Sequence, residues 1–138
     1  MVHAVFDTNV LISTLISRGK PRELWNEVLE GKIRLELSNE LLKEFNEVIV
    51  RPEFKKYLRR SSLTRFRRIL LQKVNITRVK VRFAQITEDA DDNIVFEAAY
   101  SSGAEYIVSG DNDLLRLKEF KGIKIVTVDE MLKIFKSV

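Results

Sequence analysis

The hydrophobic positions along the chain follow two spacings, which predict strands alternating with helices. Short apolar or alternating runs predict strands at Val2–Phe6 and Ile33–Leu37, with later strands at 105–109 and 123–128 and an extended edge at 76–81. Apolar residues at helical spacing predict the helices. These helices cover residues 11–16, 21–30, 39–51, 53–60, 63–73, 89–102 and 129–136. Since parallel strands need crossover connections, the pattern predicts an α/β fold: a mainly parallel sheet of four to five strands covered by helices on both faces.

The chain has the length of one ordinary domain. Its 138 residues are 45% hydrophobic, and they include only two prolines and five glycines. No low-complexity stretch or internal repeat divides the sequence. We therefore expect one domain spanning residues 1–138, with enough apolar residues for a real core.

Composition removes several kinds of chemistry from consideration. The chain contains no cysteine, so disulfides, thiolate metal sites and a nucleophilic thiol are excluded. No apolar run approaches the roughly 20 residues that span a bilayer, and the start shows neither a basic leader nor a cleavable apolar segment. We expect a cytoplasmic protein that does not enter a membrane.

Charge is distributed unevenly within a net charge of +4. Residues 51–82, here called the basic segment, hold twelve basic residues and one acid, Glu53, whereas the remainder holds 12 basic and 19 acidic residues. A solvated helix surface would carry more compensating acids, so we interpret the segment, helical in part over 53–82, as a phosphate-contacting surface. The candidate contacts are Arg51, Lys55, Lys56, Arg59, Arg60, Arg67 and Arg68. The aromatic side chains of Phe54, Tyr57 and Phe66 have helical spacing, and we expect them in the core rather than stacked on bases.

Acidic residues follow two of the predicted strands. Asp7 comes directly after the first strand, and Asp111 lies just beyond the strand at 105–109. In parallel sheets, ligands bind beyond the carboxyl ends of the strands, so these two acids should meet in one crevice, which Asp113 could also reach. Glu44 borders the apolar stripe of its helix, so it is the acid of that helix most readily drawn toward the same side.

A further acid comes from the start of the helix at 89–102. Asp89 suits a capping role there, and periodicity does not decide whether Asp91 or Asp92 faces the crevice. Clustered carboxylates repel one another unless a cation neutralises them, and oxygen ligands favour one or two Mg²⁺ or Mn²⁺ ions. Ions of this kind support hydrolysis of a phosphodiester by an activated water. Thr8, Asn9 and Ser109 are candidates to orient the acids from behind, although Asn9 is equally suited to cap the following helix.

The order of these motifs resembles the PIN-domain family, in particular its branch of toxins from toxin–antitoxin systems. The matching stretches are VFDTNVLIS, SNELLKEFNEVIVRP, DADDNIVFEAAYSSGAEYIVSGDNDLL and IKIVTVDEML, which extend over nearly the whole chain except residues 53–82. The resemblance implies a Rossmann-like three-layer α/β/α fold and a metal-dependent endoribonuclease that cuts single-stranded RNA. It also implies that the protein forms a homodimer, as members of this branch often do, and that a cognate antitoxin silences it.

The resemblance assigns the catalytic acids residue by residue. The family's acidic quartet falls on Asp7, Glu44, Asp92 and Asp111 as catalytic and metal-binding residues, with Asp113 as an accessory metal ligand. Asp92 is preferred over Asp91 because its distance to Gly103-Ala104 fits the family's helix. Ser109-Gly110 departs from the frequent Thr followed by a basic or polar residue, but it keeps the hydroxyl.

Three other functions fit less well. A phosphatase with an aspartyl nucleophile would also place Asp7 after the first strand, but its second aspartate is Asn9 here. A receiver domain needs acids on adjacent early strands and an aspartate after the third strand, which are missing from the pattern. A catalytically inactive module of the same fold, which binds RNA or a protein, would be expected to have lost at least one of the four acids.

Overall fold

A computed structural model describes the fold over residues 1–136. Its strands are β1 (Val2–Phe6), β2 (Ile33–Leu37), β3 (Val74–Ile76), β4 (Tyr106–Val108), β5 (Glu119–Phe120) and β6 (Ile123–Val126). Its helices are α1 (Thr8–Ile16), α2 (Lys20–Leu29), α3 (Asn39–Ile49), α4 (Pro52–Lys55), α5 (Arg60–Lys73), α6 (Asn93–Ser102), α7 (Asn112–Leu115) and α8 (Val128–Lys136). A 3₁₀ turn, Ala90–Asp92, leads directly into α6.

The sheet has the order β3-β2-β1-β4-β6-β5. Every pair is parallel except β5 with β6, which is antiparallel. Helix α6 packs on β1, β2 and β4, while α2 packs on β2 and against α1 and α8. The predicted three-layer α/β/α architecture with a mainly parallel sheet is therefore confirmed, with six strands rather than four to five.

The hydrophobic core lies between the sheet and the helices on either side. Phe6 on β1, Phe45 on α3 and Phe96 on α6 are fully buried. Burying such side chains contributes about 1.5–3 kcal/mol each relative to exposure. None of the helices within residues 1–136 is long and apolar enough to cross a bilayer.

The strand or edge predicted at 76–81 is wrong for most of its length. Strand β3 ends at Ile76, and after Thr77 the chain leaves the sheet as an irregular segment. Polar side chains of α6 bind its backbone instead: Lys80 N–H donates to Ser101 Oγ at 3.0 Å and Phe83 N–H donates to Glu97 Oε2 at 2.8 Å. These bonds replace strand pairing, so we call residues 77–89 the strap.

The structure moves several of the predicted boundaries and adds two elements. Helix α5 begins at Arg60 rather than residue 63, and β6 ends at Val126 because Val128 already belongs to α8. Helix α4 ends at Lys55, where the expected helix continued to residue 60, and α1 begins earlier than expected because Asp7 caps it. Helix α7 and strand β5 were not predicted. Both are too short to show a hydrophobic period, and β5 is held by its hairpin with β6.

Candidate active site

Two of the predicted acids emerge at the same end of neighbouring strands. Asp7 follows β1 and caps α1, since its Oδ1 accepts a hydrogen bond from Val10 N–H at 2.8 Å. Asp111 follows β4 and caps α7, with Oδ1 accepting from Asp113 N–H at 2.9 Å. Because β1 and β4 pair in parallel, both caps lie at the carboxyl edge of the sheet.

Ser109 connects these two acids from behind. Its side chain is fully buried, and its hydroxyl donates to Asp7 Oδ2. The same Oγ accepts from Asp111 N–H at 3.0 Å. Ser109 therefore binds the carboxylate of Asp7 directly and the backbone N–H of Asp111.

Glu44 and Asp92 reach the same region from two helices. The Thr8 hydroxyl donates to Glu44 Oε1, and Thr87 Oγ1 donates to Asp92 Oδ2 at 2.7 Å. Asp92 is 9% exposed and Asp91 is exposed, and both line the cavity described next. Asp89 caps the 3₁₀ turn, as expected, by accepting from Asp91 N–H.

All four predicted catalytic acids line one cavity of about 320 Å³. The other lining residues are Thr8, Asn9, Glu47, Val48, Arg51, Asp89, Asp91, Val95 and Leu114. Seven of the thirteen lining residues are acidic, and Arg51 is the one basic residue among them. We call this space the acidic cavity.

The electrostatics of the acidic cavity favour a bound cation. The pKa of Asp7 is raised mainly by burial, with further increases from Asp111 and Glu44, while its bonds from Ser109 and Val10 oppose the shift. The pKa of Asp92 is also raised mainly by burial, then by the nearby charges of Asp111, Asp89 and Asp113, against its bond from Thr87. Burial and like charge both penalise the ionised form, and a cation relieves both penalties.

Asp113 is the predicted metal ligand that does not line the acidic cavity. Its Oδ1 lies 3.3 Å from Arg116 Nη2, and its side chain lines a neighbouring cavity with Thr87. Its charge still acts on Asp92. Asn9 lines the acidic cavity and is exposed, while the capping role offered for it belongs to Asp7.

Sequence reasoning missed two contributors. Thr87 is part of no hydrophobic pattern, because it lies in the irregular strap. Its hydroxyl contacts Asp92 only because the chain turns back toward α6 there. Glu47 also lines the cavity, one helical turn from Glu44, which was the only acid of that helix expected there.

The donor set fits a divalent ion by its chemistry. Oxygen-only ligands suit Mg²⁺, Mn²⁺ or Ca²⁺ rather than softer metals. Within residues 1–136, however, no three acidic or histidine side chains are close enough together to hold an ion in their present positions. Instead, some of the carboxylate oxygens accept hydrogen bonds from hydroxyl and N–H groups of the protein.

Most of the basic segment lacks acidic partners. Of its twelve basic side chains, only Arg82 lies within ion-pair distance of an acid in residues 1–136. Arg67 donates to the neutral side chain of Asn46 at 2.9 Å and is partly buried, whereas the six other predicted contacts are exposed. Among the aromatic residues, Phe66 is buried and Phe54 half-buried, but Tyr57 is 62% exposed, against expectation.

Comparison with known proteins places the chain in a family. The PIN domain profile matches residues 3–113, a span that includes all four acids of the quartet. An uncharacterized protein of Methanocaldococcus jannaschii is 34% identical over 129 residues, which cover 90% of this chain and 81% of that protein.

Proposed function

Since the chain belongs to the PIN domain family, whose members are generally nucleases, we propose that it is a metal-dependent endoribonuclease that hydrolyses single-stranded RNA. The observation that carries the proposal is the convergence of Asp7, Glu44, Asp92 and Asp111 on one cavity from four separate elements. An inactive relative of the same fold would not need to keep all four.

The chain's own residues have distinct parts in this proposal. Ser109 and the N–H of Val10 hold Asp7, Thr8 holds Glu44 and Thr87 holds Asp92, so these three carboxylates are restrained before substrate arrives. A bound cation would be held by the carboxylate oxygens of Asp7, Glu44, Asp92 and Asp111. Divalent ions, which PIN nucleases typically use, would activate the attacking water and stabilise the leaving oxygen when bound. We propose Mg²⁺ or Mn²⁺, one or two ions, with Asp113 as an accessory ligand.

The proposed biological role is that of the toxin in a toxin–antitoxin pair. It rests on the resemblance of the sequence motifs to that branch of the family. In this role the protein would form a homodimer, act in the cytoplasm and be silenced by a cognate antitoxin.

Replacement of single carboxylates tests the proposal. We expect Asp7→Asn and Asp111→Asn to lower the rate of cleavage of single-stranded RNA at least about hundredfold, the scale on which loss of one charge-stabilising group acts. An asparagine oxygen can still accept the capping N–H of Val10 or Asp113, so both variants should fold. Cleavage of a labelled RNA in Mg²⁺ or Mn²⁺ is the measurement, and growth arrest on induced expression should be lost together with it.

Glu119→Gln is the matched control, because Glu119 is an exposed acid on β5 outside the acidic cavity. Its cleavage rate should equal that of the wild type. If all three variants cut RNA at the wild-type rate, the activity does not come from these carboxylates and the assignment is wrong. Growth arrest that persists in variants unable to cleave RNA would contradict the toxin role alone.

A further inference from the structure

Tyr57 is a large aromatic side chain that the fold leaves uncovered. It lies in the turn after α4 and is 62% exposed, while Phe54 and Phe66 of the same basic segment pack against or within the core. Its helical spacing predicted that it would pack in the core, but the structure leaves it outside, so packing does not account for a large aromatic side chain at this position. An exposed aromatic ring on a charged surface offers a flat apolar face to a partner.

The surroundings of Tyr57 are cationic. Lys55, Lys56, Arg59 and Arg60 are exposed, and no acid in residues 1–136 is within ion-pair distance of any of them. Lys56 Nζ lies 5.1 Å from the centroid of the Tyr57 ring. A ring among uncompensated cations matches the surface that binds single-stranded nucleic acid, in which a basic groove follows the phosphates and aromatic side chains stack on bases.

A tightly wound stretch of chain joins this surface to the acidic cavity. Arg51 lines the cavity and caps α4. Phe54 N–H donates to Arg51 C=O at 3.0 Å, and Tyr57 N–H donates to Phe54 C=O at 3.1 Å. Six residues wound this tightly span about 9–12 Å along their axis, so Tyr57 follows Arg51 closely along the chain. A strand with its phosphate at the cavity can therefore reach Tyr57 within a few nucleotides.

We propose that Tyr57 is a stacking platform for one unpaired base of the RNA, placed a few nucleotides from the point of cleavage. This inference rests on the proposed function and refines its substrate class. In a duplex the bases are already stacked on one another, so the platform favours single strands. The basic side chains around the ring hold the phosphates on either side of the stacked base.

The affinity for a short fluorescein-labelled single-stranded RNA tests the platform. Fluorescence anisotropy is measured in EDTA, so that binding is separated from cleavage. We expect Tyr57→Ala to bind at least about fivefold more weakly, the low end of what removal of a stacking ring costs, and Tyr57→Phe to bind like the wild type. An RNA whose sugars carry no bases should bind the wild type and Tyr57→Ala equally, since the phosphate contacts alone remain.

Leu71→Ala is the matched control, because Leu71 is 59% exposed on α5 within the same basic segment but has no aromatic ring. It should bind RNA like the wild type. Equal RNA affinity of Tyr57→Ala and the wild type would overturn the platform, as would a loss that is just as large on the RNA without bases. The platform is also wrong if Tyr57→Ala weakens binding of a partner protein and leaves RNA binding intact.

The failures of the two proposals are distinguishable. A wild-type protein that cleaves RNA while Tyr57→Ala retains full affinity contradicts the platform and leaves the proposed function standing. A wild-type protein that neither binds nor cleaves the RNA contradicts the proposed function, and the platform with it.

Discussion

Asp7 combines a structural and a chemical role in one side chain. As the cap of α1 it accepts the N–H of Val10, and caps of this kind are typically worth about 1 kcal/mol. As a buried acid beside Asp111 and Glu44, however, it carries a charge that the fold disfavours, and its pKa is raised for that reason. The residue therefore contributes to stability through its oxygen and opposes it through its charge.

The sign of the charge effect gives a prediction for Asp7→Asn. The pKa of Asp7 is raised in the folded state, so the folded state binds the proton more tightly than the unfolded state. The resulting stabilisation of the fold is fully present at pH values below 3.8, the ordinary pKa of an aspartate. The contribution is lost as pH rises through the raised pKa. At neutral pH in EDTA, Asp7→Asn should melt on the order of a few degrees higher than the wild type, and the difference should vanish below pH 3.8. Thermal unfolding followed by circular dichroism measures both.

Two comparisons make this test specific. Asp129→Asn should behave with the opposite sign, because hydrogen bonds from Lys20 and Lys133 lower the pKa of Asp129, so its ionised form stabilises the fold above the ordinary pKa. Added Mn²⁺ should raise the melting temperature of the wild type but not that of Asp7→Asn. An Asp7→Asn protein that melts below the wild type at neutral pH would show that the charge of Asp7 is not a burden on the fold.

At the scale of elements, the sequence predicted the strands and helices whose own residues show a hydrophobic pattern. The strands Val2–Phe6 and Ile33–Leu37 agree with the structure at both ends, because apolar runs bounded by turn residues define them locally. Asp7 and Asp111 could be assigned to one edge because a parallel sheet places the ends of its strands there, whereas the choice of Asp92 came from the resemblance to the family. Which oxygen each hydroxyl binds was not predictable, since the partners are 36 and 102 residues apart for the Thr8–Glu44 and Ser109–Asp7 bonds.

The strap shows what local patterns leave out. Residues 76–81 alternate like a strand, but the N–H of Lys80 binds a side chain of α6 rather than a neighbouring strand, and no local pattern distinguishes those two outcomes. Asn93, Glu97 and Ser101 follow one another at intervals of four, so they form one row along the helix. The strap delivers Thr87 to Asp92, so the row on α6 also supports the acidic cavity.

Glu97 is the centre of that row and gives an element-scale prediction. It is 4% exposed and accepts from Arg82 Nη1 at 2.9 Å and from Phe83 N–H at 2.8 Å. Glu97→Ala should reduce the free energy of unfolding by about 1.5–3 kcal/mol, the scale for losing hydrogen bonds to a charged group. Urea unfolding provides the measurement.

The same arginine supplies the control for Glu97→Ala. Arg82 also pairs with Glu40 at 2.8 Å, but that carboxylate is 42% exposed. Glu40→Ala should therefore cost less than about 1 kcal/mol. Equal losses for the two variants would contradict the view that the row on α6 holds the strap.

At the scale of the whole molecule, charge is separated into two regions that meet at Arg51. The acidic cavity gathers carboxylates at the carboxyl edge of the sheet, and the basic segment begins at its rim. An anionic polymer is repelled by the cavity unless cations bind there, while the basic segment attracts it. Attraction to the surface and neutralisation of the cavity are therefore separate requirements for cleavage.

This separation predicts how binding responds to salt. Each phosphate that a basic side chain neutralises on a single strand contributes about −0.7 to the slope of log affinity against log salt concentration. Replacing Lys55, Lys56, Arg59 and Arg60 together by glutamine should weaken RNA binding in EDTA and flatten the slope by up to about 2.8, with no change in sequence preference. A matched replacement of Lys118, Lys121 and Lys124, exposed on the far edge of the sheet near β5 and β6, should leave the slope unchanged. If both sets of variants flatten the slope equally per charge removed, RNA responds to net charge alone and the basic segment is not its binding surface.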